Sequence, residues 1–240
     1  MMPSERKQII ADLTRERQFV SVDELCEILA VSPATIRRDL TQLDNVGLIS
    51  RTHGGAAFIE NDMIDFPLDI RERDNTNEKK IIAEKALSLI HDGETIFMDS
   101  SSTCGFLAKQ FGIFKDLRVI TNGINIAGIL MKFPAVETHC TGGRLLPDKQ
   151  SLVGVDALDF LKRHNAQTCF FSCKGFDAKF GITDSDDEQA AIKSIMIANS
   201  EKHILLCDSS KFYRSYFCKI CDTDFPYIIS DREIPKNDTE

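Results

Sequence analysis

Four short polar clusters carry residue types that bind anions and hydroxyl groups: Asp99-Ser100-Ser101-Ser102-Thr103, Thr121-Asn122-Gly123, Thr141-Gly142-Gly143-Arg144 and Asp208-Ser209-Ser210-Lys211. Each follows an apolar run: Thr95 to Met98, Val119-Ile120, Val136 to Cys140 and His203 to Cys207. Hydroxyls and backbone N–H groups where a strand passes into a helix form a natural phosphate cradle. Taken singly, a serine run caps a helix, Gly-Gly makes a turn and Asp-Ser-Ser makes a loop. Their recurrence at successive strand ends points to a phosphorylated polyol, because ligands of open α/β sheets sit beyond the carboxyl ends of the strands. Lys174, in Ser172-Cys173-Lys174-Gly175, adds a second cation to that edge or lies on its rim.

A second constellation lies near the N-terminus, in Val31-Ser32-Pro33-Ala34-Thr35-Ile36-Arg37-Arg38-Asp39-Leu40. Ser32 is a good N-cap, and Pro33 suits the first helical position, where its missing N–H costs nothing. Ile36, Leu40 and Leu43 recur at helical spacing and face inward. That turns Ala34, Thr35, Arg38 and Gln42 outward, with Arg37 at the flank. Small residues at a helix start allow close approach to a major groove, and arginine and threonine there contact guanine edges or phosphates.

The elements that hold these residues follow from periodicity. Residues 4 to 17 form a first helix. Ser21 caps a second, with Val22, Leu25, Cys26 and Leu29 on one stripe, and Ala30-Val31-Ser32 turns into the third. Gly47 ends that helix as a left-handed cap, Leu48-Ile49 begin a strand, and Gly54-Gly55 turn the chain near Arg51 and His53. The pattern is a winged helix-turn-helix whose Arg51 and His53 meet DNA backbone or minor groove. From Thr95 onward, apolar runs alternate with helical patterns over 103–111, 123–132, 154–163 and 187–199. This is the signature of parallel strands with crossover helices, and Tyr227-Ile228-Ile229 adds an edge strand. The expected fold is α/β, with a winged helix at 1–57, a polar, proline-interrupted linker at 58–76, and an effector-sensing α/β domain at 77–240.

Composition narrows the alternatives. The chain has 240 residues, 42% hydrophobic and 28% charged, enough apolar content for a substantial core. Its net charge of -8 excludes a protein that coats nucleic acid with its whole surface. Even Met1 to Ala57 carries seven Lys and Arg against eight Asp and Glu, so DNA contact depends on placement of cations. No apolar run approaches the roughly 20 residues that span a bilayer, and no secretory segment opens the chain, so a cytoplasmic location is expected. The eight cysteines are expected as reduced thiols. Cys218 and Cys221 have the spacing of zinc or redox sites but lack partners for either, so burial in a strand is expected. Nucleophile-elbow and His-Glu-x-x-His motifs are absent, and no cofactor or metal is implied.

The Val31-Ser32 and Thr35-Ile36-Arg37-Arg38-Asp39-Leu40 run, with Gly47, Arg51 and His53-Gly54-Gly55-Ala56, resembles DeoR-type bacterial transcriptional regulators. The resemblance continues through the strand-end motifs over nearly the full chain. It implies a sensor domain with the fold of ribose-phosphate isomerases and coenzyme A transferases. It also implies that Ser101, Ser102 and Thr103 hold phosphate, Asp99 and Asn122 sugar hydroxyls, and Lys211 the phosphate or a carbonyl oxygen. Thr121, Gly142, Gly143, Lys174 and Asp208 complete the expected pocket, and Ser32 joins the DNA-contacting set. Relatives often carry a glycine in the serine loop and an apolar-Gly step where this chain has Ser172-Cys173-Lys174-Gly175. The expectation is a repressor of a carbohydrate operon that binds operator DNA as a homodimer or homotetramer and is released by a phosphorylated sugar. An activator of the same build, a sugar-phosphate isomerase with a DNA-binding head and a protein-docking winged helix remain as alternatives.

Overall fold

The computed structural model describes residues 2–45, 48–52, 54–58, 67–224 and 227–234. The chain divides into two compact units, Met1–Phe66 and Pro67–Glu240. Gly47, His53 and residues 59–66 of the expected linker lie outside the described residues.

The first unit runs α1 (Pro3–Arg17), β1 (Phe19–Ser21), α2 (Val22–Leu29), α3 (Pro33–Asn45), β2 (Ile49–Arg51) and β3 (Gly55–Phe58). Its three strands form an antiparallel sheet in the order β1-β3-β2. Ser21 starts α2 through a capping box, its Oγ accepting from the Glu24 N–H at 3.2 Å while Glu24 accepts from the Ser21 N–H at 2.9 Å. Ala30 ends α2 in the left-handed region. Two residues later, Ser32 accepts the Thr35 and Ile36 N–H groups on its carbonyl, so α3 begins sharply at Pro33. Val22, Leu25, Leu29, Ile36, Leu40 and Leu43 are buried, whereas Cys26 is only half-buried. Gly55 opens β3 because the backbone of β1 leaves no room for a side chain: a Cβ there would lie 2.2 Å from the Val20 carbonyl oxygen.

A buried ion pair ties α1 to α3. Arg6 reaches Asp39 through Nε at 2.5 Å and Nη2 at 3.2 Å, and both side chains are almost wholly inside. The acid in the Arg-Arg-Asp-Leu run thus anchors the helix from within.

The second unit begins earlier than its sequence pattern indicates. α4 (Leu68–Arg71) and the start of α5 (Thr76–Leu87) occupy residues expected in the linker. Leu68 is buried and donates its N–H to the Asp148 carbonyl, and Gln150 donates to the Asp69 carboxylate at 3.1 Å. Residues 67–76, expected in the linker, therefore belong to the second unit, held there by the buried Leu68 and by hydrogen bonds to distant residues. The unit continues through β4 (Thr95–Met98), α6 (Ser102–Ala108), β5 (Leu117–Thr121), α7 (Ile124–Leu130), β6 (Val136–Cys140), β7 (Arg144–Leu146), β8 (Ser151–Val153) and α8 (Val155–Lys162). It closes with β9 (Ala166–Phe171), β10 (Gly175–Asp177), β11 (Gly181–Asp184), α9 (Asp187–Ala198), β12 (Ser200–Leu206), β13 (Cys218–Cys221) and β14 (Tyr227–Ile229).

A six-stranded parallel sheet in the order β14-β12-β9-β4-β5-β6 forms the middle layer. Alternate residues supply two cores. Ile96, Met98, Val119, Phe170 and Leu206 pack with α5, α6 and α7 on one face; Phe97, Ile120, Phe171 and Leu205 pack with α8 and α9 on the other. Two antiparallel additions are the β7-β8 hairpin and the β10-β11-β13 sheet, of which β7, β8, β10 and β11 have no clear counterpart in the sequence pattern. Cys218–Cys221 is a strand, as expected, and all eight cysteines are free thiols, with Cys173 and Cys207 approaching to 3.8 Å. No described helix is long and apolar enough to cross a membrane.

Replacing Asp39 with alanine strands the Arg6 guanidinium. Because the pair lies in a small unit close to solvent, the expected loss is about 2–3 kcal/mol, the low end for breaking a buried pair. Thermal unfolding of the first unit's transition in the full chain measures it; an unchanged midpoint contradicts the anchoring role.

Candidate functional site

On the first unit, the outward face of α3 begins with Ser32, Pro33 and Ala34, all exposed. The Ser32 and Thr35 hydroxyls share a hydrogen bond at 3.0 Å, leaving Thr35 half-buried. Arg37 and Arg38 are both exposed. Gln42 is exposed but engaged, its Oε1 accepting from Lys7 Nζ at 3.0 Å. Arg51 is pinned to α3: its N–H donates to Asp44 at 2.9 Å and its guanidinium to the Thr41 hydroxyl at 3.0 Å. The cations therefore sit on one helix and on the strand clipped to its C-terminal half. Lys7, Thr41 and Asp44 hold that face in shape and were not singled out in the sequence.

The polar clusters of the second unit meet at one edge of the sheet. Numbered by chain order within the parallel sheet, its strands run 6-5-4-1-2-3, so the order reverses between β4 and β9, the place where open α/β sheets take their ligands beyond the carboxyl ends. Asp99 lies there, fully buried. Its Oδ1 accepts from the Ser101 N–H and its Oδ2 from the Ser172 N–H, each at 3.0 Å, and Lys193 Nζ stands 3.5 Å from Oδ2. Ser101 caps α6 through the Cys104 N–H at 3.2 Å, and Ser102 and Thr103 are buried beside it. Thr103 Oγ1 has no hydrogen-bond partner among the described residues. Ser100 reaches Gln189, which in turn donates to Ser151.

After β5, Thr121 Oγ1 accepts from the Gly123 N–H at 2.9 Å, and Asn122 donates to the Leu152 carbonyl at 3.1 Å. Gly142 and Gly143 both have positive φ, +70° and +104°. A Cβ on Gly143 would also come within 2.5 Å of the Val153 carbonyl oxygen, so only glycine makes this turn. Lys174 is half-buried and donates its backbone N–H to Thr183.

Three lysines and three aspartates set the charge of this edge. Lys193 pairs with Asp184 at 2.5 Å, and Lys211 pairs with Asp208 at 3.1 Å while donating to Ser172 Oγ at 2.9 Å. Burial works against the charge on both lysines, but the facing aspartates hold their ammonium groups above the ordinary lysine range. Burial also raises the Asp208 carboxyl, yet Lys211, the Ser210 hydroxyl and Lys79 together bring it down to about 2. Lys79 is the exception. It donates to the carbonyls of Arg71 and Asp74, while burial and the neighbouring Lys211 charge lower it to about 8. Asn75, itself in the left-handed region, donates to Asp208 at 3.2 Å and to Ser210 at 3.0 Å. Segment 67–79 is thus tied to the β7-β8 hairpin at one end and to the loop after β12 at the other.

The family models divide the chain as the structure does. The "DeoR-like helix-turn-helix domain" matches residues 6–62 and the "DeoR C terminal sensor domain" residues 74–232. This chain belongs to the DeoR family. It is a DNA-binding transcriptional regulator with an N-terminal winged helix and a C-terminal α/β sensor domain. The glycerol-3-phosphate regulon repressor of Escherichia coli is 33% identical to this regulator over 90% of its chain and 85% of the relative. The L-fucose operon activator of the same organism is 35% identical over 96% of each. Among solved structures, ribose 5-phosphate isomerase A of Methanocaldococcus jannaschii is similar at a TM-score of 0.43 and 14% identity, over 58% of this chain and 55% of that one.

Of the residues expected at the sensor site, Asp99, Ser101, Asp208 and Lys211 are joined by hydrogen bonds through Ser172 or their own loops. Thr121, Asn122, Gly142 and Gly143 stand at the next two strand ends. Asn75, Lys79, Asp184, Gln189 and Lys193 were missed. The two lysines had a signal: Lys79 shares the apolar stripe of Ile82, Ala83 and Ala86, and Lys193 that of Ala190 and Met196. A lysine on a buried stripe demands a partner.

Because the Asp208 carboxyl is lowered from 3.8 to about 2, its contribution is present above pH 3.8 and is lost as pH falls toward 2. That shift corresponds to about 2 kcal/mol. Asp208→Asn is expected to remove this part of the acid limb from the sensor unit's unfolding midpoint measured against pH. A limb of unchanged steepness contradicts the assignment.

Proposed function

We propose that this regulator represses a carbohydrate-use operon and leaves its operator when a phosphorylated sugar binds at the carboxyl edge of the sensor sheet. The observation that carries the reading is the carboxyl edge of the parallel sheet, where Lys79 and Lys211 stand close enough to repel each other beside hydroxyl, amide and glycine loops. A phosphate there relieves the repulsion between the two ammonium groups, and the neighbouring polar groups suit a polyol. A relative, the glycerol-3-phosphate regulon repressor of Escherichia coli, is named for a phosphorylated polyol.

In this reading Ser32, Ala34, Thr35, Arg37, Arg38 and Gln42 present the DNA-contacting face, with Arg51 and His53 at the flanking backbone. Ser101, Ser102, Thr103 and Lys211 hold the phosphate. Thr121, Asn122, Gly142 and Gly143 shape the polyol side, and Lys174 stands on the rim. Asp99 and Asp208 act as positioning residues, since their oxygens are engaged by the main chain, Lys193 and Lys211. Binding changes the tension on segment 67–79, which leads to the DNA-binding unit, and shifts the population toward a geometry that fits operator half-sites poorly. The protein works in the cytoplasm as a homodimer or homotetramer and carries out no catalysis. The L-fucose operon activator supports a second reading, an activator of the same build, which a reporter that falls on deletion of the gene would favour.

Two substitutions separate the sites. Arg38→Ala is expected to weaken operator binding by about 1–3 kcal/mol if the side chain contacts a base edge. Lys211→Ala is expected to leave operator binding intact and abolish release by effector. Electrophoretic mobility shift with promoter DNA reads both, and release that survives Lys211→Ala contradicts the phosphate role.

A further inference from the structure

Beside the loop after β5, buried polar atoms lack a hydrogen-bond partner among the described residues: Asn122 Oδ1 and both amide atoms of Asn125. Asn125 lies in the first turn of α7. Neighbouring glycines locate its amide. A Cβ on Gly123 would lie 2.7 Å from Asn125 Oδ1 and 2.9 Å from Ser100 Cα, so the amide oxygen borders the serine loop. A Cβ on Gly105, in α6, would lie 3.8 Å from both Asn125 Nδ2 and Glu72 Oε1. An amide and a carboxylate thus both border Gly105.

Buried polar atoms without partners are uncommon, and a side chain with its donor and its acceptor both unpaired is a strong sign of a partner from outside the chain. A carboxylate beside it disfavours phosphate and favours neutral hydroxyl donors. An amide can accept from one hydroxyl and donate to the next. On this basis we infer that Asn125 and Glu72 are specificity-determining residues that grip the hydroxyls of the effector's polyol portion. The inference rests on the sugar-phosphate reading above and names which residues distinguish one sugar phosphate from another.

The test uses the full chain and a fixed probe set: inorganic phosphate, glycerol 3-phosphate, ribose 5-phosphate and fructose 6-phosphate, read by thermal shift and by calorimetry. Asn125→Ala removes no internal hydrogen bond, so the unliganded midpoint is expected to hold. Affinity for the responding sugar phosphate is expected to fall about tenfold or more, as befits lost hydrogen bonds, while any response to inorganic phosphate is unchanged. Glu72→Ala is expected to do the same, with Glu72→Gln, which keeps an acceptor, retaining more affinity. A sugar-phosphate response that survives both alanine variants overturns the assignment and leaves the effector reading standing. So does an unliganded midpoint that drops by several degrees in Asn125→Ala, which would make the amide structural. No response of the unsubstituted chain to any sugar phosphate overturns the effector reading and this inference together.

Discussion

The Asp99 carboxylate, buried where the parallel sheet reverses its order, holds the ends of β4 and β9 together. One oxygen fixes the serine loop through the Ser101 N–H; the other fixes the loop after β9 through the Ser172 N–H and faces Lys193. Everything at the sensor edge is referenced to that group. Ser172, held on one side by Asp99, presents its hydroxyl to Lys211, and Lys211 engages Asp208. Asp208 in turn accepts from Asn75, which belongs to the segment that leads to the other unit. A single buried carboxylate thus organises a chain of polar contacts running from the middle of the sheet to the start of the domain.

The smaller unit solves its own problem in the same way. Its total charge does not favour DNA, so affinity depends on a rigid display of a few cations. Asp39 holds α3 against α1 through Arg6, and Asp44 and Thr41 clip Arg51 to the same helix. Buried ion pairs are weak contributors to net stability, but losing one partner is costly, and that asymmetry suits groups whose task is to fix geometry. In both units a buried acidic residue inside a motif fixes the position of its neighbours.

Local rules made much of this legible. Ser21 with Glu24, and Ser32 with Pro33, mark the starts of α2 and α3 by chemistry confined to four residues, and the apolar spacing of Ile36, Leu40 and Leu43 gives the face they bury. The strand-end clusters were equally readable, because apolar runs stop abruptly at hydroxyl and glycine residues. What escaped depends on partners distant in sequence. Asp39 needs Arg6, 33 residues away, and Asp99 needs Ser172, 73 away. Pro67 to Arg71 belongs to the domain because of distant partners: Leu68 is buried and donates to the Asp148 carbonyl, and Asp69 accepts from Gln150. The strands β10 and β11 are too short for periodicity to register.

We propose that occupancy of the Asp99–Lys211 edge controls the DNA-binding unit through segment 67–79. The direct measurement is fluorescence anisotropy of labelled promoter DNA bound by the full chain, titrated with a sugar phosphate that calorimetry shows to bind. Operator affinity is predicted to fall as the sensor site fills, with half-release at the concentration that half-saturates the protein–DNA complex. Saturation of the sensor site with operator affinity unchanged would contradict the claim.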